Sequence, residues 1–251
     1  MKEIFDFELY KFILIFLRIG AAFMLMPGFM SSYVNTQLRL AVALTVTAVM
    51  LPVLGTQITP PPTDFATVMQ IALFEITYGV FLGVFMQMLY FALVLVGNIA
   101  GQAIGFANAQ IFDPTSQNQS TLIETFLAVT AVTVVFITDI HHLMISALYD
   151  SYNIFPFGSP LNVGDFSQSL SMTINKSFII GFKISSPFIA FTIVFYIGIG
   201  LVSRLMPQLN IFFLSLPLQI YLGLSLLLIT TPVIIMWFIR YYEDGLIQFL
   251  R

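Results

Sequence analysis

Polar positions along the chain fall into a few short clusters, and the apolar runs between them read as long helices. The first run spans about Phe12 to Met30, carries Arg18 inside it, and meets Pro27-Gly28 near its end. Asn35, Gln37 and Arg39 make a polar step before a second run, Leu40 to Leu54. That run stops at Gly55 and the segment Thr59-Pro60-Pro61-Pro62-Thr63-Asp64, because three successive prolines cannot continue a helix. From Phe65 to Phe112 the only charge is Glu75. A helix over 76–112 would be roughly 55 Å long, beyond the ~30 Å hydrocarbon core, so this run either overshoots a bilayer or bends into two arms. A polar, nearly uncharged loop follows, Asp113 to Ser120.

The fourth run, Leu122 to about Leu148, is interrupted by Asp139-Ile140-His141-His142. Asp150 to Gln168 holds Pro156, Gly158, Pro160 and Gly164 and reads as the longest non-helical stretch. A fifth run covers about Ile174 to Ser203, with Lys176, Lys183 and Pro187 in its first half. The sixth covers Leu209 to Phe238, broken by Pro217 and Pro232, before a short mixed tail from Arg240 to Arg251. The expected architecture is all-α, with five or six apolar segments of roughly 20 residues each and no room for a sizeable soluble domain.

Composition narrows the class. Apolar residues make up 59% of the chain and charged residues 8%, with mean hydropathy +0.96. A soluble domain carries about 25% charged residues, so most of this surface must face lipid or other protein. The nine basic residues are scattered and the net charge is -3, which excludes a nucleic-acid footprint. There is no cysteine, and with it go disulfides, thiolate catalysis and cysteine metal sites. Met1 to Lys11 mixes Lys2, Glu3, Asp6, Glu8 and Lys11, unlike the basic start of a signal peptide, so the first apolar segment is read as retained.

Charge placement carries more. Between Arg39 and Lys176 there is no lysine or arginine, so the loops there give the positive-inside rule nothing to act on. Either the flanking charges suffice, or partners place the chain. Arg18, Glu75, Glu124, Asp139, Lys176 and Lys183 sit in or near apolar runs, where each costs about 2.5–3.5 kcal/mol at a bilayer centre. They should pair, face other protein or line a wet path; ion pairing or an interfacial position is favoured over a proton relay. Gly97, Gly101 and Gly105 repeat every four residues, as do Gly79 and Gly83, a pattern that lets helix backbones approach closely. Asn98 and Gln102 run beside the first stripe.

His141 and His142 project about 100° apart on a helix, leaving Asp139 with His142 as the usable pair and no evident third ligand. A hydrogen-bonded structural role is expected there, with no metal. No phosphate loop, zinc-protease motif or nucleophile elbow is present, so no catalytic residue, cofactor or enzyme activity is expected.

Taken in order, these marks resemble the FliR family of flagellar type III export-gate subunits and its injectisome T-subunit counterparts. They comprise Arg18, Pro27-Gly28 and Arg39; Glu75 with Gly79 and Gly83; Gly105-Phe106 and Asp113-Pro114; and Asp139 to His142. The most specific is Arg204-Leu205-Met206-Pro207-Gln208-Leu209-Asn210, followed by Pro217. The resemblance covers essentially the whole chain. It implies a multi-helix membrane export-gate subunit, with a P-subunit-like helical portion (1–169) joined to a Q-subunit-like C-terminal hairpin (170–251). It further implies assembly with FliP-like and FliQ-like subunits, FlhB-like and FlhA-like components nearby, and passage of unfolded substrates through a central pore in the bacterial inner membrane at the flagellar basal body. Membrane lipid is a further neighbour and nucleic acid is not.

In such a gate the loop between the third and fourth segments supplies a plug. The matching stretch is about Phe106 to Gln119, with Ile111 and Phe112 as apolar stoppers and Asp113-Pro114 as a turn behind them. Gly79, Gly83, Gly97, Gly101, Gly105, Pro207, Gln208 and Asn210 are expected at helix packing or subunit contacts. Arg18, Arg39, Glu75, Glu124, Asp139 and Arg204 are expected as buried charges. The alternatives are an injectisome subunit, and a self-contained small-solute transporter, which would need an internal inverted repeat that the sequence does not show.

Overall fold

The computed structural model describes residues 2–29, 34–106, 122–160, 163–208 and 211–249, without the side chains of 2–6, 211, 212 and 214. The elements are α1 (Lys2–Leu25), α2 (Thr36–Leu54), α3 (Phe65–Ile104), α4 (Leu122–Ile137), α5 (Ile140–Ile154), α6 (Val163–Ile184), α7 (Ser186–Leu205) and α8 (Ile211–Phe249). A single 3-10 turn, Gly55–Gln57, follows α2. No strand occurs among the described residues, and the chain is an all-α protein. Four of the described helices are long and apolar enough to cross a membrane; α4 and α5 together make a fifth if the broken pair is one span.

Local chemistry sets the boundaries. Asn35 caps α2 by accepting from the Gln37 N–H at 3.1 Å, so this helix begins four residues ahead of the apolar run. Asp64 closes the proline segment and caps α3, accepting from the N–H groups of Ala66 and Thr67. The third run is one 40-residue helix of roughly 60 Å, not two arms. It ends in a Schellman motif: Gly105 takes φ +94, the Phe106 N–H reaches the Gly101 carbonyl, and the Gly105 N–H reaches that of Gln102.

Three expectations are corrected. The stretch expected to be non-helical, Asp150 to Gln168, is helical up to Ile154 and again from Val163. Three of its turn formers, Pro156, Gly158 and Pro160, crowd into 156–160 while Gly164 lies within α6, and Tyr152 and Phe166 on either side are buried helix residues. The fifth run breaks at Ser185, where Pro187 sits in the first turn of α7 and cannot donate back to α6. The sixth runs unbroken through Pro217 and Pro232 and takes the tail with it to Phe249. Just before Pro232, the hydroxyls of Thr230 and Thr231 donate to the carbonyls of Leu226 and Leu227, keeping both polar groups within the helix.

The chain gathers into two compact units. One holds Met1–Leu89, Thr138–Ile174 and Glu243–Arg251. Its core is a buried stripe on α1 (Ile15, Arg18, Ile19, Ala22, Phe23), a matching stripe on α3 (Glu75, Tyr78, Leu82, Met86, Leu89) and the inner face of α5 (Met144, Leu148, Ser151, Tyr152). Phe81 stacks on Phe166 at 4.2 Å within it, and α2 packs on α1. The other unit holds Tyr90–Ile137 and Asn175–Tyr242. Its core is Leu93, Val96 and Ala100 of α3, Leu127 and Ala131 of α4, and Phe238 of α8. The expected division at 169/170 concerns likeness to partner subunits and is a different matter from these units.

Candidate functional site

Two constructions stand out, one in each unit. In the first, helices α1 and α3 close on each other because α3 has no side chain at two facing positions. A Cβ at Gly79 would collide with the Arg18 carbonyl oxygen and lie 2.9 Å from the Ala21 Cβ; one at Gly83 would lie 2.7 Å from the Leu25 Cβ. That approach brings Arg18 to Glu75, one turn before Gly79. The guanidinium Nε donates to Oε2 at 2.7 Å and Nη2 to Oε1 at 3.0 Å, and neither side chain is exposed.

The rest of the guanidinium is also satisfied. Nη1 reaches the Ser151 carbonyl at 3.3 Å and Nη2 the Phe155 carbonyl at 3.0 Å, so the cation caps the C-terminus of α5, where the helix dipole is negative. Its Cζ lies 4.1 Å from the Tyr152 ring, 4.8 Å from Tyr78 and 5.6 Å from Phe157. The Gly158 backbone adds a hydrogen bond to Glu75, and the Tyr78 hydroxyl donates to the Ser159 carbonyl at 3.1 Å. One ion pair thus fastens α1, α3, α5 and the 155–160 turn. Enclosed and fully paired, it acts as a structural pin between these elements.

The second construction frames the expected plug loop. Ile111, Phe112, Asp113 and Pro114 lie outside the described residues; Phe106, where the loop begins, is half-buried. Just before it, the buried Gln219 side chain of α8 donates to the Ala103 carbonyl at 2.8 Å, filling one acceptor left open at the end of α3. Gly105 and Gly223 make room for this: a Cβ on Gly105 would stand 3.3 Å from the Gln219 side chain, and one on Gly223 2.7 Å from Ile104. Where the chain returns, a Cβ on Gly97 would lie 2.6 Å from the Glu124 Cα. Asn98 reaches the Glu124 carboxylate at 3.5 Å and accepts from Gln102 at 2.6 Å. The glycine stripe and its polar companion therefore serve packing within the chain, and Gly101 is buried with them.

Of the residues expected as buried charges, Arg18 and Glu75 are fully buried. Arg39 and Glu124 are half-buried. Asp139 and Arg204 are exposed on the chain, which corrects that expectation: Asp139 stands in a turn between helices and Arg204 at the last turn of α7. Lys176 and Lys183 lie on the exposed face of α6. Pro207 and Gln208 are exposed, and Asn210 lies outside the described residues.

Sequence reasoning missed Ser151, Tyr152 and Gly158 as partners of the ion pair. It also missed Gln219 and Gly223; a glutamine inside an apolar helix was the available signal. The histidines differ too. The ligand atoms of Asp139, His141 and His142 all lie within 4.8 Å of one another, so His141 supplies the third group that ideal helix geometry denied. Asp139 takes a left-handed backbone (φ 58), and the helix starts only at Ile140.

Residues 9–245 match the family described as bacterial export proteins, family 1. The flagellar biosynthetic protein FliR of Caulobacter vibrioides is 34% identical over 94% of this chain and 95% of its own length. FliR of Bacillus subtilis is 29% identical over 89% of the chain and 86% of its own length, and that of Escherichia coli 29% over 87% and 83%. The chain belongs to this family of bacterial export proteins, the FliR family of the flagellar export apparatus.

Proposed function

We propose that the chain is one wall-forming subunit of the flagellar protein-export gate, present as a single copy among FliP-like and FliQ-like subunits in the bacterial inner membrane at the basal body. FlhA-like and FlhB-like components lie beside it, and unfolded flagellar proteins pass through the shared pore. The P-like portion is 1–169 and the Q-like hairpin 170–251.

The observation that carries this reading is the uncovered state of α7. Beyond the buried Phe188 and Phe195, its Ile193, Val194, Tyr196, Ile197, Leu201 and Leu205 are exposed over a broad face, and nothing lies within 4 Å of a Cβ built at Gly198 or Gly200. Lipid alone would cover the large side chains. A bare glycine at 198, with Gly200 on the other side of the helix, suits the close approach of another helix backbone, since small residues are what membrane helices use to meet. The same chain buries its costly Arg18–Glu75 pair internally, so neither of those two charges is presented to lipid or to a partner.

The stretch from about Phe106 to Gln119 is the plug of the closed pore. A gate that passes polypeptide but holds back small ions needs a removable apolar constriction, and Ile111 and Phe112 supply it. The capped end of α3 and the Gly97–Glu124 contact hold its two roots.

The test is gentle extraction after co-expression with the neighbouring P and Q subunits, followed by mass measurement of the intact particle. A large hetero-oligomer with one copy of this chain is expected. Recovery solely as a free monomer sinks the proposal.

A further inference from the structure

We infer that Asp139, His141 and His142 form a binding site for a divalent first-row transition cation, zinc foremost. Three observations carry it. The ligand atoms of all three residues already converge to within 4.8 Å, and Asp139 Oδ1 stands 3.6 Å from His142 Nδ1. A tetrahedral site with bonds of about 2.0–2.2 Å has ligand-to-ligand edges of roughly 3.3–3.6 Å, so that pair is already at the required spacing and His141 has only to close in.

Next, the Asp139 carboxylate is not spent on the helix it precedes. It occupies the N-cap of α5 but makes no side-chain cap bond, while its backbone carbonyl accepts from the His142 N–H at 2.9 Å. The left-handed turn aims the carboxylate at the imidazoles, at a distance too long for a hydrogen bond. The two imidazole rings sit 4.1 Å apart, tilted by 35°. Side chains of Asp139 and His142 are 74% and 68% exposed, so a rotamer change can draw the set together and leave the fourth position open to water or a partner's ligand.

Third, the donor set selects the ion. Two imidazoles and one carboxylate suit zinc, nickel or copper, whereas calcium and magnesium want oxygen alone. These are the chain's only two histidines and it has no cysteine, so it holds imidazole or thiolate nowhere else. A bound ion would clip the turn at 138–142 to the start of α5.

The experiment uses the full chain in lipid nanodiscs, purified through a tag without histidine and stripped with chelator. Zinc chloride alone is titrated by calorimetry, and cobalt by its visible absorption. One saturable site per chain and a tetrahedral cobalt spectrum are expected. H142A and D139N should each bind at least about 100-fold more weakly, beyond the ~10–100-fold that outer partners of a metal contribute. Asparagine tolerates the left-handed backbone at 139, so D139N keeps the turn. In the unaltered chain, zinc should also shield both histidines from an acylating imidazole reagent, a readout that needs no variant. Absence of saturable uptake, retention of uptake in the variants, or equal reactivity with and without zinc overturns the site.

Discussion

The Arg18 guanidinium meets the Glu75 carboxylate as a two-point fork, 2.7 and 3.0 Å long, with neither side chain exposed. Such a pair is strong in direct interaction and weak in net stabilisation, because both ions lose their water. Its worth shows when one partner goes. R18A or E75A leaves an uncompensated buried charge and should cost about 3–5 kcal/mol. The double change R18M with E75L removes both charges and should recover most of that loss. Thermal unfolding of the four proteins in one detergent measures the coupling, and additive losses would mean the pair is not the pin described above.

Gly79 makes that fork possible, since any Cβ there drives into the Arg18 carbonyl on the facing helix. G79A should therefore destabilise by about 1–3 kcal/mol, as overpacking does, despite the roughly 1 kcal/mol that alanine gains in helix propensity. Gly198 has open space around it, and G198A should stabilise the isolated chain slightly. In the assembled gate the order changes. G198L should leave the isolated chain folded while lowering its yield in the hetero-oligomer, read by co-purification with the P and Q subunits. Undiminished yield with G198L would free α7 from the proposed contact.

The helices and the family were legible because an apolar run leaves few options in lipid and because the marks occur in order. Arg18 and Glu75 were legible as costly charges, but not as each other's partner: 57 positions separate them, and only the packing of α1 on α3 brings them together. The boundaries failed where tertiary structure overrode local signals. Pro217 and Pro232 read as breaks, yet α8 absorbs both. Asp139 read as an intramembrane charge, although a residue at a helix break can turn outward. The nearness of His141 to Asp139 was hidden because Asp139 stands before the helix in a left-handed turn, where helical spacing between 139 and 141 does not apply.

Gln219 is the least conspicuous residue of the loop's frame, and its removal isolates what that frame does. Q219L keeps the size of the side chain but strands the Ala103 carbonyl at the buried end of α3, at a cost of about 1–3 kcal/mol. The loss is local, so the chain should still fold and assemble. If α3 anchors a plug, loosening its end should let small solutes through the closed gate more readily, though less than deleting Ile111 to Asn118, which removes the stoppers outright. Uptake of a membrane-impermeant dye in cells expressing the full gate reads both variants. The expected order is deletion, then Q219L, then unaltered protein. A deletion strain as tight as the unaltered one would strip 106–119 of the plug role, and a tight Q219L strain beside a leaky deletion would confine the role to the loop and leave its anchor inert.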